Sequence, residues 1–410
     1  MASKGFFAGS KIAQAAPTRT LPQCGACKLH HKACSPKMPV AGEGRCSVLF
    51  VGDAPSGEDD SQGAVFVGKY GTRIRRVLKK LNINLREDAW STYAVTCHTP
   101  KGRTPSSAEV MACRPNMDKV IKELKPQVII PMGAQAVNSV LGKIWREDTG
   151  TAERWAGWQI PCQAVNAWVC PTWHPRYLDK MDDQVLDRQF KRHIQDAFAL
   201  PGVPWPEGPP EWGQDVRRVL DPAKAAKWLL KCAEMQTGAI AWDYETNMLK
   251  PDGPDAQIVS CSVAWGRTEP ERCIAFPWQG EAIPAMQKLL AAPIPKIASN
   301  LKFEDRWTRK EFGHRVRAWA WDTMLAAHVC DNRRGITSVK FQAFVRLGVP
   351  CWNDKIEPFL KTKGDARVNA ILREIDIMDL LQYNGLDSLL EFRVATDQIS
   401  ELGYPMPWQT

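Results

Sequence analysis

The sequence has no run of about 18 apolar residues, and its first twenty residues are polar, interrupted by Gly and Pro, with no apolar signal core. These absences exclude a helical membrane span and a secretory leader of that form, and they predict a soluble cytoplasmic protein with no membrane partner. In a reducing compartment, 13 cysteines are expected to be thiols or metal ligands rather than a disulfide framework. No internal repeat and no low-complexity tract interrupts the chain. Acid is in deficit: 45 Asp and Glu stand against 54 Lys and Arg, a net charge of +9 that points to a polyanionic partner. Tyrosine is scarce at six, whereas 17 tryptophans offer flat faces for core packing or base stacking.

What is present divides the chain. A length of 410 residues predicts two or three domains. The clearest boundary is the run from Leu200 to Pro210, where five prolines rule out a continuous helix or central strand. The expected organisation is a flexible start at 1–20, a first domain at 21–199, a proline-rich spacer at 200–213 and a second domain at 214–410. In the first domain, strands are predicted at Ser47–Val51, near Trp90–Thr96, at Val128–Pro131 and near Ala164–Cys170. They alternate with helices at Thr72–Leu81 and Ser106–Leu124, a pattern expected of a parallel α/β sheet. In the second, a helix over about Asp215–Glu234 precedes a meander of strands at Ala239–Tyr244, Ile258–Trp265 and Cys273–Pro277.

The second domain is organised around Ala239-Ile240-Ala241-Trp242-Asp243-Tyr244-Glu245-Thr246. Alternation along a strand sends Asp243 and Glu245 to one face, where two like charges call for a hard divalent cation such as magnesium or manganese. Further on, Asn300-Leu301-Lys302-Phe303-Glu304-Asp305 supplies another acid, and either Glu304 or Asp305 could be the ligand. Tyr383 and Asp387 are four residues apart and share a helix face. Asp322 reads as a helix N-cap or as support for the ligands.

These motifs, in this order, resemble the proofreading 3′-5′ exonuclease domain of family A DNA polymerases, the type with four acids and a tyrosine. The resemblance covers roughly the second half of the chain and implies a ribonuclease H-like fold. It implies that Asp243, Glu245, Glu304 and Asp387 hold two Mg2+ or Mn2+ ions, and that Tyr383 orients the attacking water. The substrates it implies are single-stranded DNA 3′ ends and primer-template DNA.

The first domain carries Cys24-x-x-Cys27, the Gly52-Asp53-Ala54-Pro55 turn, Phe66-Val67-Gly68-Lys69, Cys97, Cys113 and His174-Pro175-Arg176-Tyr177-Leu178. Over most of residues 20–200 it resembles the uracil-DNA glycosylases that bear an iron–sulphur cluster, which implies a three-layer α/β/α fold. By that resemblance Cys24, Cys27, Cys97 and Cys113 ligate a [4Fe–4S] cluster. A rival reading is a local zinc site built from Cys24, Cys27, Cys34 and Cys46, with His30 or His31 in reserve. The resemblance also implies a base pocket formed by Asp53, Phe66 and His174.

The chain departs from that family at three places. Asp53 stands where the family has Glu, Ala54 and Ser56 replace smaller, glycine-rich residues, and Tyr93 falls where an Asn reads the uracil edge. A phenol cannot offer an amide's paired donor and acceptor. The domain is therefore expected to be non-catalytic and to grip the DNA backbone through Lys69, Arg73, Arg75 and Arg76. The combination resembles the front of certain phage DNA polymerases, which would place the protein in a bacterial host. The polymerase body is expected as a separate subunit, docking on the segment Cys351–Leu360 or on the tail Tyr404–Trp408.

Overall fold

The computed structural model describes residues 24–145, 148–204, 212–267, 270–360 and 374–408. The expected flexible start at 1–20 and most of the proline-rich spacer, residues 205–211, lie outside them. The chain divides into two compact units between Gly208 and Pro209.

The first unit is built on a five-stranded sheet in the order β2-β1-β3-β5-β4. Its strands are β1 (Val48–Gly52), β2 (Ala89–Tyr93), β3 (Val128–Pro131), β4 (Ile160–Cys162) and β5 (Ala167–Val169). β1 pairs in parallel with both β2 and β3, and β3 pairs in parallel with β5. The apolar run of β1 is wholly buried, as a central parallel strand covered on both faces requires. The sheet is not parallel throughout, because the last predicted strand resolves into a hairpin. Asn166, in the left-handed region at φ 50°, turns β4 back to run antiparallel to β5.

The second unit has a six-stranded sheet in the order β11-β10-β7-β8-β9-β6. β6 (Val216–Arg218) lies at one edge, followed in the chain by β7 (Ala239–Thr246), β8 (Ile258–Gly266), β9 (Pro270–Pro277), β10 (Lys296–Ala298) and β11 (Trp319–Asp322). β7, β8 and β9 form the antiparallel meander. The helix expected over Asp215–Glu234 splits into two elements. Pro222 disfavours helix at Asp221, so Val216–Arg218 pairs with β9 and the helix Pro222–Ala233 starts afresh, with Asp221 accepting from the backbone N–H groups of Ala223 and Lys224.

β7 divides the core. Ile240, Trp242 and Tyr244 join the cluster under the Pro222–Ala233 helix, while Ala239 and Ala241 face the long helix Ile377–Glu401. Asp243 and Glu245 share the second face by alternation. Gly385 lets that helix lie close, since a Cβ there would come within 2.2 Å of Val216.

Candidate functional site

In the second unit, β7 runs two residues beyond the predicted Tyr244, so both of its acids lie on the strand itself. Carboxylate oxygens of Asp243, Glu245 and Asp387 all fall within 4.8 Å of one another. Asn384 donates to Asp243 Oδ2 at 2.8 Å and is itself held by the Ser260 hydroxyl at 3.0 Å. Trp352 Nε1 donates to Asp387 Oδ1 at 2.9 Å. Lys340 Nζ donates to the Tyr383 hydroxyl at 2.9 Å and lies 4.9 Å from its ring centre.

Glu304 enters from the first turn of the helix Leu301–Phe312, set by Asn300 in the left-handed region at φ 61°. Its side chain is buried, and Oε2 finds no hydrogen-bond partner among the described residues. Asp305 instead pairs with Arg309 at 2.9 Å and accepts from the Val316 backbone at 3.1 Å. Glu304 lies outside the group of oxygens within 4.8 Å of one another, but of the two candidates it is the buried one, and the Asp243 charge acts on it. Asp322 caps the helix Thr323–Cys330 through Met324 and Leu325, and accepts from the backbone of Asn300 and Leu301. It thereby ties the loop that delivers Glu304 to β11.

Burial pushes the carboxyls of Asp243, Glu245, Glu304 and Asp387 above their usual range, and mutual repulsion adds to this for the first three. The Lys340 ammonium acts in the opposite sense on Asp243, Glu245 and Asp387. Such a set of buried and half-buried hard oxygen donors fits magnesium or manganese.

Lys340, Trp352, Asn384 and Glu391 escaped the sequence reading. Glu391 is one turn beyond Asp387, buried, with Oε1 unpartnered among the described residues and its carboxyl raised by burial and then by Asp243. The i,i+4 spacing from Asp387 was its only signal. Within the segments expected to dock a polymerase, some aromatics are buried while Tyr404 is exposed. Trp352 and Ile356 are buried, and Trp408 packs near Phe392 and bonds the Arg267 carbonyl, because their aromatics complete this unit's own core.

In the first unit, Asp53 follows β1 and accepts from the Ala136 backbone at 3.0 Å. His174 caps the helix Pro175–Met181, its Nδ1 accepting from Arg176 at 3.0 Å. Gly133, at φ 96°, lets the two approach, since a Cβ there would meet both at 3.0 Å. Burial raises Asp53 and lowers His174, which favours a neutral imidazole with its proton on Nε2. Phe66, at φ 52°, meets the Tyr93 ring edge-on at 4.9 Å. The Tyr93 hydroxyl accepts from the Phe66 backbone at 3.0 Å and donates to the buried Asp59 at 2.9 Å. Asp59 also takes the N–H groups of Val67 and Gly68.

Cys24, Cys27, Cys97 and Cys113 line one cavity together with His30, and Cys34 and Cys46 do not. Among the described residues no three of these sulphurs lie within 4.8 Å of one another. A zinc ion with about 2.3 Å bonds would need them closer, whereas a four-iron cluster needs four thiolates set further apart. The basic helix runs from Lys69 to Lys79. Lys69 and Arg73 pair with Asp179, Arg73 also reaches Asp187, and Arg75 bonds the Phe66 carbonyl. Arg76 stays exposed.

Residues 39–199 match the family model described as the uracil DNA glycosylase superfamily, and residues 216–390 match one described as 3′-5′ exonuclease. A type-4 uracil-DNA glycosylase of Pyrobaculum aerophilum is 33% identical over 204 residues, 49% of this chain and 94% of its own length. A DNA polymerase of Bacillus phage SP01 is 22% identical over 402 residues, 90% of this chain, which spans 41% of that polymerase. Among solved structures, RNase D of Escherichia coli aligns over 46% of this chain and 45% of its own, at 15% identity and a TM-score of 0.35. No helix among the described residues is long and apolar enough to cross a membrane.

Proposed function

The chain belongs to the uracil-DNA glycosylase superfamily through its first half and carries a 3′-5′ exonuclease domain in its second, and from that premise we propose that it is a metal-dependent exonuclease that trims DNA 3′ ends in proofreading for a DNA polymerase. The observation that carries this reading is the convergence of Asp243, Glu245 and Asp387 within 4.8 Å of one another. Asp243, Glu245, Glu304 and Asp387 would hold two ions. Bound there, the ions would stabilise the charge that develops on the attacking and leaving oxygens of a phosphodiester. Tyr383 orients the attacking water, and Asn384 and Trp352 keep Asp243 and Asp387 turned inward.

DNA rather than RNA as substrate is supported by the likeness to a phage DNA polymerase across both units. The same likeness supports action beside a polymerase subunit, on frayed primer-template ends, in a bacterial cytoplasm. The test is digestion of a labelled single-stranded oligonucleotide in Mg2+. Asp243→Ala is expected to lower the rate by about a thousandfold or more with the fold intact. Unchanged digestion by that variant would refute the site.

The first unit, in this reading, grips DNA without removing bases. Tyr93 is fixed by one hydrogen bond from the Phe66 backbone and one to Asp59, and its ring fills space that an amide would leave to a flipped base. Exposed Arg76, with Lys69 and Lys79 on the same helix and Lys80 just after it, faces phosphates, while Arg73 and Arg75 hold the helix to its neighbours. The cavity of Cys24, Cys27, Cys97 and Cys113 would take the [4Fe–4S] cluster, and iron rather than zinc in elemental analysis tests that choice.

A further inference from the structure

Lys340 lies on the helix Val339–Leu347, 43 residues before Tyr383, and no motif of the sequence reading includes it. It nevertheless brings the positive charge that opposes the raised pKa of Asp243, Glu245 and Asp387, and it contacts the one uncharged group assigned a role in the chemistry.

A phenol oxygen has one proton to give and two lone pairs to accept with. In Tyr383, Lys340 Nζ donates to one of these lone pairs at 2.9 Å. One acceptor position remains. A water whose O–H donates into that position has its own oxygen lone pair turned in a direction fixed by the ring. Without Lys340, two acceptor positions would be open and the ring would lose the cation 4.9 Å from its centre, so the water could bind in two orientations.

We propose that Lys340 is a positioning residue of the exonuclease site, which by donating to the Tyr383 hydroxyl leaves that phenol a single direction from which to hold the attacking water. The proposal rests on the exonuclease reading of this site. Lys340 touches neither the reacting phosphate nor a metal in this scheme; it acts through Tyr383.

A double-mutant cycle on the full chain tests this, with Lys340→Met chosen to keep the length of the side chain and remove the ammonium. On a labelled oligonucleotide in Mg2+, Lys340→Met is expected to lower kcat by about tenfold, with KM changed less than about twofold. The Lys340→Met/Tyr383→Phe double variant is expected to be no slower than Tyr383→Phe alone, because the lysine then has nothing to position. Losses that multiply would mean that Lys340 acts on the substrate directly, and would overturn the proposal. Calorimetric titration with Mn2+ supplies a readout independent of turnover. Lys340→Met is expected to bind Mn2+ at least as tightly as the parent, since a cation beside the carboxylates is gone. Weakened Mn2+ binding would make Lys340 a support for the carboxylates instead and would equally overturn the proposal. An inactive parent chain would refute the exonuclease reading itself, an outcome distinct from either of these.

Discussion

Two buried polar clusters, one in each unit, are satisfied in opposite ways. In the first, the Tyr93 hydroxyl both accepts and donates, and Asp59 collects that proton together with backbone N–H groups. In the second, Glu304 and Glu391 each bury an oxygen with no partner among the described residues, beside three more carboxyls that crowd together. A satisfied network is complete in itself and leaves nothing for a ligand to supply. An unsatisfied cluster of acids costs folding free energy unless protons or metal ions neutralise it. The contrast teaches where chemistry is to be sought: the site that the protein cannot finish alone is the one built to receive something.

The contrast can be broken most completely at the first unit. A uracil-containing duplex, followed by alkaline cleavage of abasic sites, is expected to show no excision above background; efficient cleavage would mean that the pocket opens despite Tyr93, and that the chain carries two activities. A smaller effect follows from Tyr93→Phe. The substitution leaves the Phe66 N–H without its acceptor and removes one donor from Asp59, and is expected to cost about 1–2 kcal/mol in denaturant unfolding of the first unit. Exonuclease turnover should not change. A loss of nuclease activity in this variant would contradict the independence of the two sites.

The second unit responds to pH in a direction that the carboxyl shifts fix. A carboxyl whose folded pKa stands above its unfolded value binds more protons folded than unfolded. Its contribution to stability is full below about pH 4 and is lost as pH rises through the raised folded value. Asp243, Glu245, Glu304, Asp387 and Glu391 all shift this way, burial being the largest cause in each. The melting temperature of the metal-free chain should therefore fall as pH climbs above the ordinary carboxyl range, and Mn2+ should flatten that fall. A metal-free profile that rises across the same range would show the acids to be compensated from within.

Much of the second site was legible because local periodicity carries it. Strand alternation aligned Asp243 with Glu245, and a helical turn aligned Tyr383 with Asp387, both set by backbone geometry alone. The choice between Glu304 and Asp305 was not legible, since adjacent helix positions differ only in which neighbours they meet. Arg309 stands one helical turn from Asp305, but the Val316 backbone, which also claims Asp305, becomes its neighbour only after folding. Lys340 and Trp352 reach the site from separate segments, and no periodicity connects them to it. The same limit explains Trp352 and Trp408, whose aromatic character read equally well as an exposed surface or a core and whose burial depends on long-range packing. In the first unit, Tyr93 stood out as a departure, but its bond to Asp59, 34 residues away, emerges only from the fold.

The central claim is that the carboxylates of the second unit are a divalent-metal site. Isothermal titration of Mn2+ into the metal-free full chain tests it most directly, with Asp387→Asn beside the parent. Two ions are expected to bind per parent chain and at least one of them to be lost in the variant, with the fold unchanged by circular dichroism. Mn2+ binding of equal stoichiometry and affinity in both proteins, or none in either, would contradict it.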